Sequence, residues 1–493
     1  MIHETPQSLL TVGVARCDIT PPVGIYHRMW GAATHDRAAG IHRPLTATAL
    51  FLLPTKQASD DEPQPLVILS LDHCLFGETE IKLLRETILS RAREPLHQLL
   101  ITFTHTHGAG LMSLDRAELP GGELIEPYLR DLAGKCADLV NEAMFNLTMA
   151  TITYRYGRCS LATNRDFWDE ERKQFVCGFN PSVPADDTLL VARITSVTEH
   201  DRLLATIVNY ACHPTTLAWD NQLISPDYLG ALREVIERET TAVGESPPPC
   251  IFLQGASAEL GPRDGFVGDP AVADRNGKQL GYAALETLTA MPPPLSSLVY
   301  RGPKVSGATL GVWEHEQRTE RLEQLRASGL RQEVLQLEYR QDRPSRAEAS
   351  AILEQQIQRK EAAIAAGDDA TARDAHALIE RQTRMLRRMD ELPPGQYPYV
   401  IHAWRLGDAI WLGVRGELYS QLQTELRSRF PGTPIIVLTL VDGWGPSYVV
   451  PQETYGRGLY QESIAVVAPG SFEKIVAACG ELIRLLLSRS AES

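Results

Sequence analysis

The 493-residue sequence has no apolar run near the roughly 18 residues that suggest a membrane-crossing helix. It also lacks a basic surplus. Lys and Arg number 48 against 62 Asp and Glu, a formal net charge of -14, which argues against a nucleic-acid partner because a phosphate-binding surface needs clustered cations. None of the eight cysteines forms a C-x-x-C pair, which excludes a zinc ribbon and points to reduced thiols rather than a disulfide framework. The opening residues, Met1-Ile2-His3-Glu4-Thr5-Pro6-Gln7-Ser8, have neither the basic start nor the apolar segment of a secretory signal, so a cytoplasmic location is expected. No internal repeat or low-complexity tail is present. The nucleophile elbow of a serine hydrolase is missing as well, since Gly255-Ala256-Ser257-Ala258-Glu259 lacks the last glycine. What remains, 43% hydrophobic and 22% charged residues, is an ordinary globular composition.

The periodicity predicts strands at 10–17, 45–53, 66–71 and 99–104, with a helix over 78–93 whose apolar face is Ile81, Leu84, Ile88 and Leu89. An amphipathic helix follows at 127–144, a strand at 150–156 and a hairpin formed by 189–195 and 203–210. A helix over 228–238, a strand at 250–254, strands at 409–414 and 434–440 and a last helix over 471–487 complete the pattern. Strands interleaved with helices predict an α/β fold, mixed β-sheets flanked by helices. Residues 314–392 differ, being rich in Glu, Arg, Gln and Ala, with a capping box at Ser345-Arg346-Ala347-Glu348 and a stop at Gly367. They predict a helical hairpin inserted into a catalytic domain made of 10–313 and 393–490, an arm outside the core or a contact for a homo-oligomer.

Chemistry concentrates at strand ends. The run Leu99-Leu100-Ile101-Thr102-Phe103 leads into Thr104-His105-Thr106-His107 and a Gly108-Ala109-Gly110 break. Side chains two apart on a strand share a face, so both imidazoles are expected to leave in one direction beside a loop that lets a ligand approach. That offers one or two nitrogen ligands to zinc, or two polar caps of a strand. His213 and Glu417 likewise follow apolar strands. Sheet edges of this kind are where α/β enzymes collect their sites. Imidazoles with a carboxylate match a catalytic zinc, which lowers the pKa of its water to about 7 and polarises a carbonyl.

The chain resembles the neutral/alkaline non-lysosomal ceramidase family across nearly all of residues 10–490. The carrying motifs, in the family's order, are Asp18-Ile19-Thr20-Pro21, Gly40-Ile41-His42, Ser70-Leu71-Asp72 and Thr104-His105-Thr106-His107-Gly108. Asn164-Arg165, His213, Ile224-Ser225-Pro226-Asp227, Gly416-Glu417, Tyr448 and Tyr460 follow. The resemblance implies hydrolysis of a ceramide-like amide with a single Zn2+. It implies that His105, His213, Glu417 and Tyr448 bind the metal and that His107, Arg165 and Tyr460 surround the amide. The implied partner is a small-molecule N-acyl substrate, possible members including ceramide-like lipids.

Three features depart from that pattern. The family carries a serine just before a proline in the segment matching Glu259-Leu260-Gly261-Pro262, where this sequence has Gly261. Ceramide-cleaving members continue into an immunoglobulin-like domain, whereas these residues end at Ser493, and those members are usually secreted or membrane-associated. The expectation is therefore zinc-dependent hydrolysis of a soluble or short-chain N-acyl compound. The alternative is a non-catalytic or differently acting metal-binding protein on a ceramidase-like scaffold, for which Gly261 speaks most directly. An amidohydrolase barrel, which also begins with His-x-His, would need eight regular strand–helix units, and the hairpin at 189–210 argues against it.

Overall fold

The computed structural model describes residues 1–55 and 64–488. Eight strands form the main sheet: β1 (Gln7–Asp18), β2 (Thr46–Leu53), β3 (Leu66–Leu71), β4 (Gln98–Phe103), β5 (Thr148–Arg158), β6 (Thr188–Ser196), β7 (Leu203–Tyr210) and β8 (Cys250–Gln254). Their order is β8-β7-β6-β5-β1-β2-β3-β4. Only the end pairs, β7 with β8 and β3 with β4, are parallel. A second sheet has the order β9 (Ser328–Leu337), β10 (Tyr397–Leu406), β11 (Ala409–Val414) and β12 (Ile435–Leu438).

Alternation within the strands sets the layers. On β2 and β3, Ala47, Ala49, Phe51, Val67, Leu69 and Leu71 face the cluster that includes α1 (Glu78–Arg91) and α2 (Ile125–Phe145). The intervening Leu50, Leu52, Leu66 and Ile68 face the other way, onto Trp404, Trp411, Ile436 and Leu438 of the second sheet. Both faces are buried, so these strands read as continuous apolar runs. On the main sheet's outer face, α3 (Leu229–Thr240) and α4 (Pro270–Thr289) complete the helical layer. On the far side, α7 (Ser471–Ser488) packs Phe472, Ile475 and Ile483 against Tyr399, Ile401 and Leu412. The fold is thus two stacked mixed sheets between helices, the α/β class expected.

The main sheet curls until its ends meet: the Ser70 hydroxyl of β3 donates to the Phe252 carbonyl of β8 at 3.0 Å. The second sheet ties both ends together. Asn209 of β7 donates to the carbonyls of Leu253 and Val437, and Thr102 of β4 donates to that of Thr439. The loops after β4, β7, β8 and β11 consequently meet at one place.

The stretch 314–392 is only partly helical. Its long helices are α5 (Arg346–Ala366), opened by the expected Ser345 capping box and closed by Gly367, and α6 (Asp369–Glu391). Residues 308–317 instead form a largely exposed hairpin with 296–306, and 328–337 are strand β9. The Arg and Glu content of β9 looks helical, but the segment pairs with β10 along its whole length and its polar residues sit on an edge. Strand formation here follows the partner rather than the local propensity.

Candidate functional site

β4 ends at Phe103, so His105 and His107 stand on a loop rather than on the strand. Their shared direction comes from that loop's shape. His105 adopts left-handed backbone, φ 68°, which L-residues occupy at a cost of about 1–2 kcal/mol. Its N–H donates to His73 O at 2.9 Å. A turn over His107–Ala109 follows, with the Thr106 hydroxyl accepting from Gly108 N. The two imidazole centroids lie 5.1 Å apart.

The motifs flanking the loop hold it in place. Thr104 donates to Asp72, whose carboxylate also takes two bonds from Arg233 at 2.6 and 2.7 Å. Burial opposes the charge on Asp72, and Arg233 outweighs it, holding this carboxyl below the usual carboxylate range. Ser225 grips the other side: its carbonyl accepts from the Thr106 hydroxyl at 2.8 Å and its N–H donates to Gly108 O at 2.9 Å. A Cβ on Gly108 would stand 2.6 Å from Ser225 O, so the glycine is required by close packing. The strand pair Gly40–Ile41 with Leu223–Ile224 leads His42 to the Ser225 hydroxyl at 2.9 Å.

Both ligand-type histidines have a fixed tautomer. Nδ1 of His105 donates to Cys74 O at 2.8 Å, and Nδ1 of His213 donates to Ser257 O at 2.7 Å. Each turns Nε2 toward Oε2 of Glu417, at 3.2 Å from His105 and 2.9 Å from His213. Burial works against a charge on His105, but Cys74 and Glu417 hold its pKa well above the ordinary histidine value, so with no cation between them this ring donates to Glu417. All three residues are buried. Burial disfavours the Glu417 charge, but His105 and His213 beside it keep this carboxyl well below its ordinary range. Burial and Arg165 pull His213 down to about 3, which leaves it neutral. Three ligand-type atoms converging on one point among buried residues fit a cation that would displace the proton between them. Two imidazole nitrogens and a carboxylate oxygen are a zinc-type donor set, and the carbonyls behind the rings supply the second layer such sites require. A second grouping, Cys74 with His105 and His107, also brings ligand atoms within 4.8 Å of one another.

Tyr448 and Arg165 close the opposite side. The Tyr448 hydroxyl is 3.5 Å from His213 Nε2 and accepts from Arg165 at 3.1 Å. Arg165 is anchored by the Ala258 carbonyl at 2.9 Å. The Tyr460 ring lies 5.8 Å from that of Tyr448. Nε2 of His107 is buried without a hydrogen-bond partner among the described residues. Burial, then His105 and His213, hold its pKa well below the ordinary histidine value, so it is a neutral base. His105, His107, Arg165, Glu417, Tyr448 and Tyr460 line one cavity of about 430 Å³, with His213 behind them.

Sequence reasoning missed three kinds of contributor: backbone carbonyls, a cavity hydroxyl and a helix. Cys74 and Ser257 act through backbone carbonyls, which carry no residue-type signal. Thr215 lines the cavity with a buried hydroxyl that has no partner among the described residues. A Cβ on Gly261 would lie 3.7 Å from that hydroxyl and 3.8 Å from Arg165 Cδ, so a side chain has room there. The third is α6. The expected arm outside the core is instead a wall of the cavity: Ala377, Leu378, Arg384, Met385 and Arg388 face it. Packing fixes this placement, because Arg116 pairs with Glu380 at 3.0 Å and Ala377 stands against Gly31.

No protein-family model matches the sequence, and no curated protein sequence matches it. Two solved structures share the fold. One is a crystal structure of neutral ceramidase from Pseudomonas aeruginosa, at TM-score 0.62 and 15% identity, with 96% of this chain and 74% of that chain covered. The other, a ceramidase complexed with C2, has the same TM-score of 0.62, 15% identity and coverage of 96% and 74%. Among the described residues no helix is long and apolar enough to cross a membrane.

Proposed function

We propose, on the premise that this chain has the neutral ceramidase fold, that it is a zinc-dependent hydrolase of a linear amide. The observation that carries the reading is the convergence of Nε2 of His105 and Nε2 of His213 on Glu417 Oε2, at 3.2 and 2.9 Å. His105, His213, Glu417 and Tyr448 would hold the ion, which supplies Lewis acidity to the substrate carbonyl and to water.

The protein groups perform the rest. Water adds to the acyl carbon, the C–N bond breaks, and the products are a carboxylic acid and an amine. His107, neutral and with Nε2 free, takes the proton that water gives up and delivers it to the leaving nitrogen. Arg165, from a buried position, and Tyr460 supply donors to the oxygen on which charge develops. Arg165 also fixes the Tyr448 hydroxyl.

The substrate is a soluble or short-chain N-acyl compound in preference to a long-chain ceramide in a membrane. A cavity of about 430 Å³ lies in the range of roughly 300–1,000 Å³ that encloses small molecules. The test measures kcat/KM of the zinc-loaded protein on N-hexanoyl amides and on long-chain ceramide vesicles. Faster cleavage of the hexanoyl amides is expected, and preference for membrane ceramide overturns the substrate assignment. The second reading, a metal-binding protein without turnover, draws on Gly261; bound zinc with no amide cleaved would favour it.

A further inference from the structure

The whole chain is anionic, 48 basic against 62 acidic residues, but the cavity wall has the reverse balance. Arg116, Arg165, Arg381, Arg384, Arg387 and Arg388 line it against Asp115, Glu380 and Glu417. The carboxylates are already engaged. Asp115 accepts from Arg387 at 3.0 Å. Glu380 accepts from Arg116 at 3.0 Å, with Arg384 at 3.7 Å. Glu417 faces the two histidines. Of the other cations, Arg165 is held by Ala258 O and the Tyr448 hydroxyl, and Arg381 donates to Ser463 Oγ at 2.9 Å.

Arg388 is left over. Among the described residues no carboxylate pairs with it, and its Nε is buried with no hydrogen-bond partner. Its guanidinium carbon stands 5.3 Å from the ring centroid of Trp444, with that of Arg387 at 5.4 Å from the same ring. Trp444 lines the cavity too. Burial lowers the Arg388 pKa from its ordinary value, with Tyr460 and Glu417 acting in the opposite direction. An uncompensated cation at a partly dry wall is costly unless an anion completes it. A guanidinium beside an aromatic ring keeps the planar fork that pairs bidentately with a carboxylate. The cavity also has apolar lining, with Met29, Trp30, Leu111 and Met112 available to an acyl chain.

We propose that Arg388 on α6 (Asp369–Glu391) binds a carboxylate carried by the substrate, so that the compound cleaved is an N-acyl amino acid or a similarly anionic N-acyl compound. This rests on the amide-hydrolase reading for the reaction but not for the binding. The hairpin that carries Arg388 then sets substrate class.

The test compares N-hexanoylglycine with neutral N-hexanoylethylamine, by calorimetric binding and by kcat/KM, on zinc-loaded wild type, Arg388→Met and Arg388→Lys. Wild type should favour the glycine conjugate about tenfold to a hundredfold, the range expected of a charge-assisted contact. Arg388→Met should lose that preference, the ratio of kcat/KM for the two compounds falling to near one, and Arg388→Lys should keep part of it. Equal handling of the two compounds by wild type, or a preference that survives in Arg388→Met, overturns the assignment. If Arg388→Met does not fold, the wild-type pair and Arg388→Lys decide. Binding preference without cleavage would leave the carboxylate site standing and remove the hydrolase reading. Cleavage of both amides at equal rates would do the reverse.

Discussion

Oε2 of Glu417 lies 2.9 Å from Nε2 of His213, and both atoms are acceptors, because the His213 Nδ1 donates to the carbonyl of Ser257. Such a contact is repulsive unless a cation or a proton lies between the atoms. With zinc, wild type should bind one ion per chain and His213→Ala should bind far less. Elemental analysis after gel filtration checks this, and equal metal in the two proteins removes His213 from the ligand set.

Gly108 admits no side chain. Alanine there would put its Cβ 2.6 Å from Ser225 O and force the loop carrying His105 and His107 to shift. Overpacking of this kind costs about 1–3 kcal/mol. Gly108→Ala should lower Tm by several degrees and weaken metal binding. An unchanged Tm together with unchanged metal affinity would show that Ser225 does not fix the loop.

Glu259 gives a pH signature. Burial raises its carboxyl to about 7, although the Ser420 hydroxyl and N–H, the latter at 2.9 and 3.0 Å, pull it down. The folded protein therefore binds this proton more tightly than the unfolded chain, whose pKa is about 4.3. Stability from this group is therefore greatest at low pH and falls as pH rises from about 4.3 toward about 7, by about 4 kcal/mol at most. Denaturant unfolding at several pH values should show a shallower fall in Glu259→Gln. Identical slopes in the two proteins would remove Glu259 as the cause.

The hairpin α5–α6 is a wall of the cavity and contributes no atom to the ligand set. Replacing 346–391 with a short linker should leave metal stoichiometry unchanged and raise KM about tenfold or more, since one side of the substrate space opens. Loss of zinc from a variant that stays folded would mean that the hairpin helps build the metal centre.

The hydroxyl of Thr215 and the space above Gly261 adjoin, 3.7 Å apart. Thr215→Val should lower kcat/KM about tenfold, the worth of one buried hydrogen bond to substrate. Gly261→Ser in that background should restore part of the loss. If Thr215→Val has wild-type kinetics, this hydroxyl does not touch the substrate.

How much of this was legible in the sequence follows from what each feature depends on. Strands buried on both faces, such as Leu66–Leu71, announce themselves as apolar runs, and the polar residues at their ends stand out by contrast. The convergence of His105, His213 and Glu417 was readable only through motif order, since the curl that brings β8 to β3 is a long-range contact. The tautomers were not readable at all, because they are set by the carbonyls of Cys74 and Ser257. Composition misled at 314–392, where charge on one face of α6 resembled a solvated helix. The pairing of Arg116 with Glu380 turns that face inward instead.

The most direct test of zinc-dependent amide hydrolysis at this site is fatty-acid release from an N-hexanoyl amide by chelator-treated protein titrated with zinc. Release should be absent without metal, rise to a plateau at one equivalent, and stay absent in Glu417→Ala. Release that is indifferent to metal removal, or no release at full loading, would contradict it.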